Sequence, residues 1–175
     1  IIAITGSCGK TTLKELLGNS LNQISKVGIS PKSYNNKYGV PLSLFNLDQK
    51  NNYGVLEIGM DKKGEIDYLS KIVKPDVSVI TNINYAHAKN FKNLKQIALA
   101  KSEIIYNTKL NGFIVLNSDD NFFTLHKNIA HKRKLKILSF GIDNQNANIK
   151  LISINKIVNK FKATIRVNNI KTYFF

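Results

Sequence analysis

The stretch Ile1-Ile2-Ala3-Ile4-Thr5-Gly6-Ser7-Cys8-Gly9-Lys10-Thr11-Thr12 decides the fold. Residues 1–5 are an apolar, β-branched run of buried-strand type. Glycines at 6 and 9 break it. From Lys10 to residue 24 a helix is expected, with Leu13, Leu16, Leu17 and Leu21 at helical spacing. A strand that turns through glycines into a helix is the setting a phosphate loop needs. Glycines let backbone N–H groups curl around phosphate oxygens, and the helix N-terminus adds positive potential. Lys10 then reaches the β- and γ-phosphates, the Thr11 hydroxyl ligates Mg²⁺, and Gly6, Ser7, Cys8, Gly9 and Thr12 complete the cradle. The spacing is Gly-x-x-Gly-Lys-Thr-Thr; the usual pattern would have glycine at position 4, where Ile4 stands. The simpler alternative is a glycine turn that only starts a helix. The strand–GKTT–helix context favours phosphate.

Working outward, apolar runs alternate with helix-like stretches. Strands are expected at 53–58, 77–81, 112–116 and 135–140. Helices are expected at 65–73, where Ile66, Leu69 and Ile72 share a face, and at 94–106. Such alternation implies βαβ units: an α/β fold with a mostly parallel sheet and helices on both faces. From residue 148 the pattern changes to apolar–polar alternation, as in half-buried antiparallel strands, with a hairpin turn around Val167-Asn168-Asn169-Ile170. The expected organisation is a phosphate-loop core over 1–147 and a small antiparallel β extension of the same domain over 148–175. The chain starts and stops inside strand-like runs, so a piece of a longer protein is expected.

The 175 residues carry 26 Lys+Arg against 11 Asp+Glu, a formal charge of +15. That balance invites a nucleic-acid reading. Two details weigh against it: 24 of the cations are Lys and only Arg133 and Arg166 are Arg, and the lysines are scattered along the chain. A solvated basic surface is the expectation, with a nucleic-acid-binding NTPase module as the lesser alternative. No apolar run is long enough to cross a bilayer. The single cysteine, Cys8, excludes an intramolecular disulfide and a cysteine-based zinc site. A cytoplasmic location fits.

Other residues stand where chemistry is done. Glu57 ends a strand, where a carboxylate either meets solvent or holds Mg²⁺ beside Thr11. His87 follows the strand at 77–81 and is a structural histidine or a ligand. His126 and His131 lie in a polar, basic stretch and read as surface. Asn35 and Asn36, before Gly39 and Pro41, suit a turn. Asn117-Ser118-Asp119-Asp120 follows a strand and suits a helix N-cap.

These blocks line up with one family. TGSCGKTTLKELL (5–17), NNKYGVPLSL (35–44), EIGMDKKGEI (57–66), PDVSVITNINYAHAKNF (75–91), IALAKSEI (97–104) and NSDD (117–120) resemble, in that order, the central ATP-binding domain of the Mur ligases. These are the ATP-dependent amide-forming enzymes of peptidoglycan synthesis. The likeness covers nearly the whole chain and is weak after about Phe140; Cys8 departs from the pattern. The GEI and AKSEI blocks are most similar to the branch that adds D-alanyl-D-alanine to UDP-N-acetylmuramoyl-tripeptide. The resemblance implies an acyl-phosphate mechanism with ATP and two Mg²⁺. It implies catalytic roles for Lys10, Asn36, His87 and Lys101, and nucleotide contact by the loop and Asn35. Metal ligation falls to Thr11, Glu57, His87 and Lys101, the last as a carbamate. It further implies a monomer, further domains for the UDP moiety and for the incoming amine, and inactivity of residues 1–175 alone. A sister amide ligase, such as another Mur ligase or a folylpolyglutamate synthetase-like protein, is the alternative within this resemblance.

Overall fold

The short apolar run at the head of the chain becomes β1 (Ile2–Thr5), and it sits inside the sheet because neighbours cover both of its edges. The computed structural model describes residues 1–85 and 90–174. After β1 come α1 (Lys10–Asn22), β2 (Val27–Ile29), α2 (Gly39–Phe45), β3 (Tyr53–Glu57), α3 (Glu65–Val73) and β4 (Val77–Ile80). Then follow α4 (Leu94–Lys101), α5 (Glu103–Asn107), β5 (Phe113–Asn117), α6 (Phe123–Lys132) and β6 (Lys136–Gly141). The chain closes with β7 (Ile149–Ile157), β8 (Lys160–Val167) and β9 (Ile170–Phe174). One nine-stranded sheet runs β2-β3-β1-β4-β5-β6-β7-β8-β9. It is parallel through β7 and antiparallel over the last two pairings. The expected α/β class, parallel core and antiparallel C-terminal strands are all present.

Apolar residues on the two faces of the parallel strands build two cores. Ala3, Leu56, Ile80, Ile114 and Leu116 pack on one face against α3 to α6, and Ile4, Val55 and Val79 pack on the other against Leu13, Leu17 and Leu21 of α1. The chain leaves β1 for β2 and β3 on one side and then crosses to β4 on the other. This places a topological switch point at the C-terminal end of β1, where ligands of open parallel sheets bind.

Several expectations are revised. The helix expected at 94–106 is two helices, because the chain turns at Ser102, whose hydroxyl donates to Leu99 O at 2.7 Å. β2 and α2 were not anticipated: β2 is only three residues long, and α2 carries Pro41 within its first turn, where proline is tolerated. The helix expected after 117–120 is present as α6. Leu13, Leu17 and Leu21 of α1 pack inward as expected, but Leu16 is exposed and Lys14 is buried instead. On α3, Val73 rather than Ile72 is buried. His126 is only 2% exposed, contrary to a surface reading: its Nε2 lies 3.1 Å from Ala98 O, and burial lowers its pKa. His131 is exposed as expected. Phe122, the N-cap of α6, has no side-chain cap bond, whereas Asp119 serves residues 142–144. Asp120 accepts from Phe122 N, on the approach to α6, and from Ile83 N.

β7 overlaps β6 by two pairs only, Phe140↔Ile149 and Gly141↔Lys150. The antiparallel ribbon β7–β9 therefore continues past the end of the parallel strands. Pairing in register puts Ile154, Ala163 and Phe174 on one face of it, and Lys150, Arg166 and Lys171 on the other.

Candidate active site

β1, β3 and β4 end side by side, with Ile4 opposite Glu57 and Thr5 opposite Ile80. The loop leaving β1 curls over these ends. Gly6 has φ +146°, and a Cβ there would lie 1.9 Å from Thr81 Oγ1, so only glycine fits. Gly9, at φ +78°, turns the chain into α1. No side chain caps α1, and no acidic residue stands in its first turn, so the positive end of the helix is not neutralised by a side chain of its own.

The loop is held from behind by the segment after β4. Ser7 N donates to Asn82 O, and Cys8 N to Asn82 Oδ1. Thr81 Oγ1 and Asn82 Nδ2 donate to Cys8 O, and Ser7 Oγ exchanges hydrogen bonds with the Asn84 backbone. Position 8 thus acts through its backbone, and the Cys8 side chain is exposed. As the only cysteine, it is a selective handle. Carboxamidomethylation of Cys8 is expected to weaken ADP binding at least tenfold by bulk. Unchanged affinity, measured by calorimetry on the alkylated protein, would show that the side chain stays clear of the phosphates.

Two ammonium groups converge on one carbonyl: Lys10 Nζ lies 3.0 Å and Lys101 Nζ 2.9 Å from Gly6 O. Lys101 is 1% exposed, and burial, with the charge of Lys10 adding to it, lowers its pKa from 10.5 to about 7. Such a convergence of positive charge at an uncapped helix start suits an anion.

Glu57 is also 1% exposed. One carboxylate oxygen accepts from Thr11 Oγ1 at 2.6 Å and the other from Asn35 Nδ2 at 2.7 Å. Among the described residues no cation pairs with it. A buried carboxylate met, among the described residues, only by neutral donors, beside a hydroxyl and a phosphate cradle, has the donor set of a Mg²⁺ site that takes its remaining ligands from phosphate and water. No group of three His, Cys, Asp or Glu side chains that could hold a metal occurs among the described residues.

Asn36 does something different from Asn35. Its Oδ1 accepts from Tyr38 N and Gly39 N and so starts α2, while the residue borders a cavity of about 740 Å³ next to Lys10. The far wall of that cavity is the loop 59–65. Glu103 holds its end, accepting from Gly64 N and Asp67 N at the start of α3, and burial raises the Glu103 pKa. The AKSEI and GEI blocks are therefore in contact. Thr12 is exposed, and His87 lies outside the described residues. Sequence reading missed Thr81, Lys14 and Glu103 and left Asn82 without a role. Their partners are 36 to 74 residues away or carry the contact through backbone atoms, which no local pattern encodes.

The family model for the Mur ligase middle domain matches residues 4–173. The UDP-N-acetylmuramoyl-tripeptide–D-alanyl-D-alanine ligase of Buchnera aphidicola (subspecies Acyrthosiphon pisum) is 38% identical over 170 residues, which is 96% of this chain and 34% of that protein. The chain thus spans about a third of the length of this relative. Among solved structures, MurF of Acinetobacter baumannii superposes with a TM-score of 0.89 at 33% identity over 98% of this chain and 37% of its own. MurF of Thermotoga maritima in complex with ADP gives 0.86 at 32%, over 98% and 39%. The glycine loop, the buried carboxylate beside it and the lysine at the helix break thus stand in a fold and a sequence that the match spans nearly end to end, and the chain belongs to the Mur ligase middle domain family.

Proposed function

We propose that this chain is the ATP- and Mg²⁺-binding part of a ligase that joins D-alanyl-D-alanine to UDP-N-acetylmuramoyl-tripeptide. The observation that carries the proposal is Glu57, buried and shared between Thr11 and Asn35 at the mouth of the phosphate loop. The names of the relatives support the substrates, and the ADP complex of the Thermotoga protein supports the nucleotide.

In this reading Lys10 and the N–H groups of 9–12 bind the β- and γ-phosphates, while Asn82 holds those of Ser7 and Cys8. Thr11 and Glu57 hold one Mg²⁺, which neutralises phosphate charge so that a carboxylate can approach. The cavity beside Lys10 and Asn36 receives that carboxylate. Lys101, with a pKa near 7, has a substantial neutral amine fraction at physiological pH, which is what attack on CO₂ requires. The new N–C bond releases one proton to solvent and leaves a carbamate, a hard oxygen donor for a second Mg²⁺ together with His87. The UDP grip and the amine site belong to other domains, with 1–147 and 148–175 forming one domain here. A cytoplasmic monomer completes the proposal.

The test is phosphate release by the full-length protein from Mg-ATP. Release is expected only when UDP-N-acetylmuramoyl-tripeptide and D-alanyl-D-alanine are both present, and Lys10→Ala is expected to lower it by about 10³-fold. Turnover with a different amine would move the protein to a sister ligase. Turnover independent of any acceptor would refute the ligase reading.

A further inference from the structure

Lys14 is fully buried, 0% exposed, and the site described above does not use it. It lies on α1 one turn beyond Thr11, where the leucine spacing of the helix would suggest a solvent-facing lysine. The ammonium donates to Ser30 O and Lys32 O, each at 2.5 Å, and forms an ion pair with Glu15 Oε1 at 2.9 Å. Ser30 follows β2, and Lys32 is held at φ +44°. The two carbonyls therefore belong to the loop that leads to Asn35. That loop makes three contacts at and just beyond Glu57. Ser30 Oγ accepts from Glu57 N, Asn35 Nδ2 donates to Glu57 Oε1, and Asn35 O accepts from Gly59 N just beyond it.

We propose that Lys14 is a positioning residue for the metal-binding carboxylate. It ties helix α1, which carries Thr11, to the loop that carries Asn35, so that both oxygens of Glu57 are aimed from one rigid frame. Thr11 and Lys14 share one helix. Thr11 fixes one carboxylate oxygen directly, and Lys14 fixes the other through Ser30, Lys32 and Asn35. Loss of the ammonium takes this donor from the buried Ser30 carbonyl and from the part-buried Lys32 carbonyl, and frees Asn35 to move with the loop. The proposal rests on the reading of Thr11 and Glu57 as Mg²⁺ ligands.

The test uses the full-length protein and measures ADP affinity by calorimetry with and without Mg²⁺. For Lys14→Met, the Mg²⁺-dependent gain in ADP affinity is expected to shrink at least tenfold, while Mg²⁺-free ADP binding changes less than threefold. A double-mutant cycle with Asn35→Ala should be strongly non-additive, the double variant losing no more of the Mg²⁺ gain than Asn35→Ala alone. A lowered melting temperature with the Mg²⁺ gain intact would make Lys14 a purely structural lysine and overturn the proposal, as would additive losses. Should Lys14→Met not fold, Lys14→Gln, which keeps an amide donor, is measured in the same way. Amide exchange separates this proposal from the metal reading itself. If wild-type ADP binding proves indifferent to Mg²⁺, the metal reading fails. Lys14 as the tie of this loop is then decided by exchange at Gly59 N–H, expected at least tenfold faster in Lys14→Gln with β5 and β6 unchanged. Unchanged exchange at Gly59 would refute it.

Discussion

Gly6→Ala is expected to lower Mg-ADP affinity at least about 100-fold and to destabilise the protein by about 2–4 kcal/mol. Two independent effects add. The backbone at φ +146° is one that side chains with a Cβ rarely adopt. The new methyl would also meet Thr81, at 1.9 Å from Oγ1 and 3.0 Å from the backbone nitrogen. Rotation of the Thr81 side chain relieves the first contact only by breaking its 2.7 Å bond to Cys8 O, which holds the loop from behind. Relief of the second requires β4 to shift. Both displacements move Gly6 O, the carbonyl on which Lys10 and Lys101 converge. The double variant Gly6→Ala/Thr81→Ala removes the hydroxyl contact but neither the backbone strain nor the contact with the Thr81 nitrogen. It should recover less than half of the lost stability in urea unfolding and little of the affinity. Gly6→Ala that binds Mg-ADP within threefold of the parent would refute this account of the loop.

Lys101→Met is expected to abolish a pH dependence of stability and to abolish catalysis with it. The folded state lowers the Lys101 pKa from 10.5 to about 7, chiefly by burial and further by Lys10. Below pH 7 both folded and unfolded chains hold the proton, and the full cost of a buried charge is present. Between pH 7 and 10.5 the unfolded chain binds more protons than the folded one, so stability rises with pH; above 10.5 the cost is gone. The cost corresponds to roughly 3–5 kcal/mol at its limit. The difference in unfolding free energy between Lys101→Met and the parent should therefore be largest near pH 6, in favour of the variant, and shrink steadily toward pH 10. A difference that does not change over this range would mean that Lys101 stays charged in the folded protein. In ¹³C-bicarbonate buffer, a carbamate resonance present in the parent and absent in Lys101→Met would place the modification on this residue. In the unmodified apoprotein, Lys10→Ala should raise the Lys101 pKa, since it removes the nearby charge.

Those two residues were legible in the sequence to very different degrees. Gly6 was readable because its constraint is local: a strand, two glycines and a helix start lie within ten residues. The same holds for α3, whose apolar spacing and following Pro75 mark both ends, and for the antiparallel tail, whose alternation of period two is visible by eye. Glu57 was readable from the rule that ligands gather at the C-terminal ends of parallel strands. Lys101 was not readable without the family resemblance, because nothing local separates it from 23 other lysines. What sets it apart is burial against a carbonyl 95 residues away. Lys14 and His126 failed for the same reason: a polar residue in a helix is assumed to face water until its neighbours are known. Thr81 and Asn82 work through the backbone of Cys8, and Glu103 through that of Gly64, so the identity of the partner residue carries no trace of the contact.

The pairing of β7 with β6 has a mechanical meaning. Two residue pairs are few fasteners for a three-stranded ribbon whose own strands pair over most of their length. A tether pulling at β9 would load the ribbon's ladders end-on, bond by bond, and reach the β6 seam at two residue pairs reinforced by hydrogen bonds between Ser139 and Asn148. The parallel strands that carry the phosphate loop would be loaded in shear only after that seam had parted. The nucleotide end of the sheet is thereby insulated from strain applied at the ribbon, and Asp119, which gathers the backbone N–H groups of 142–144, is the anchor at that seam.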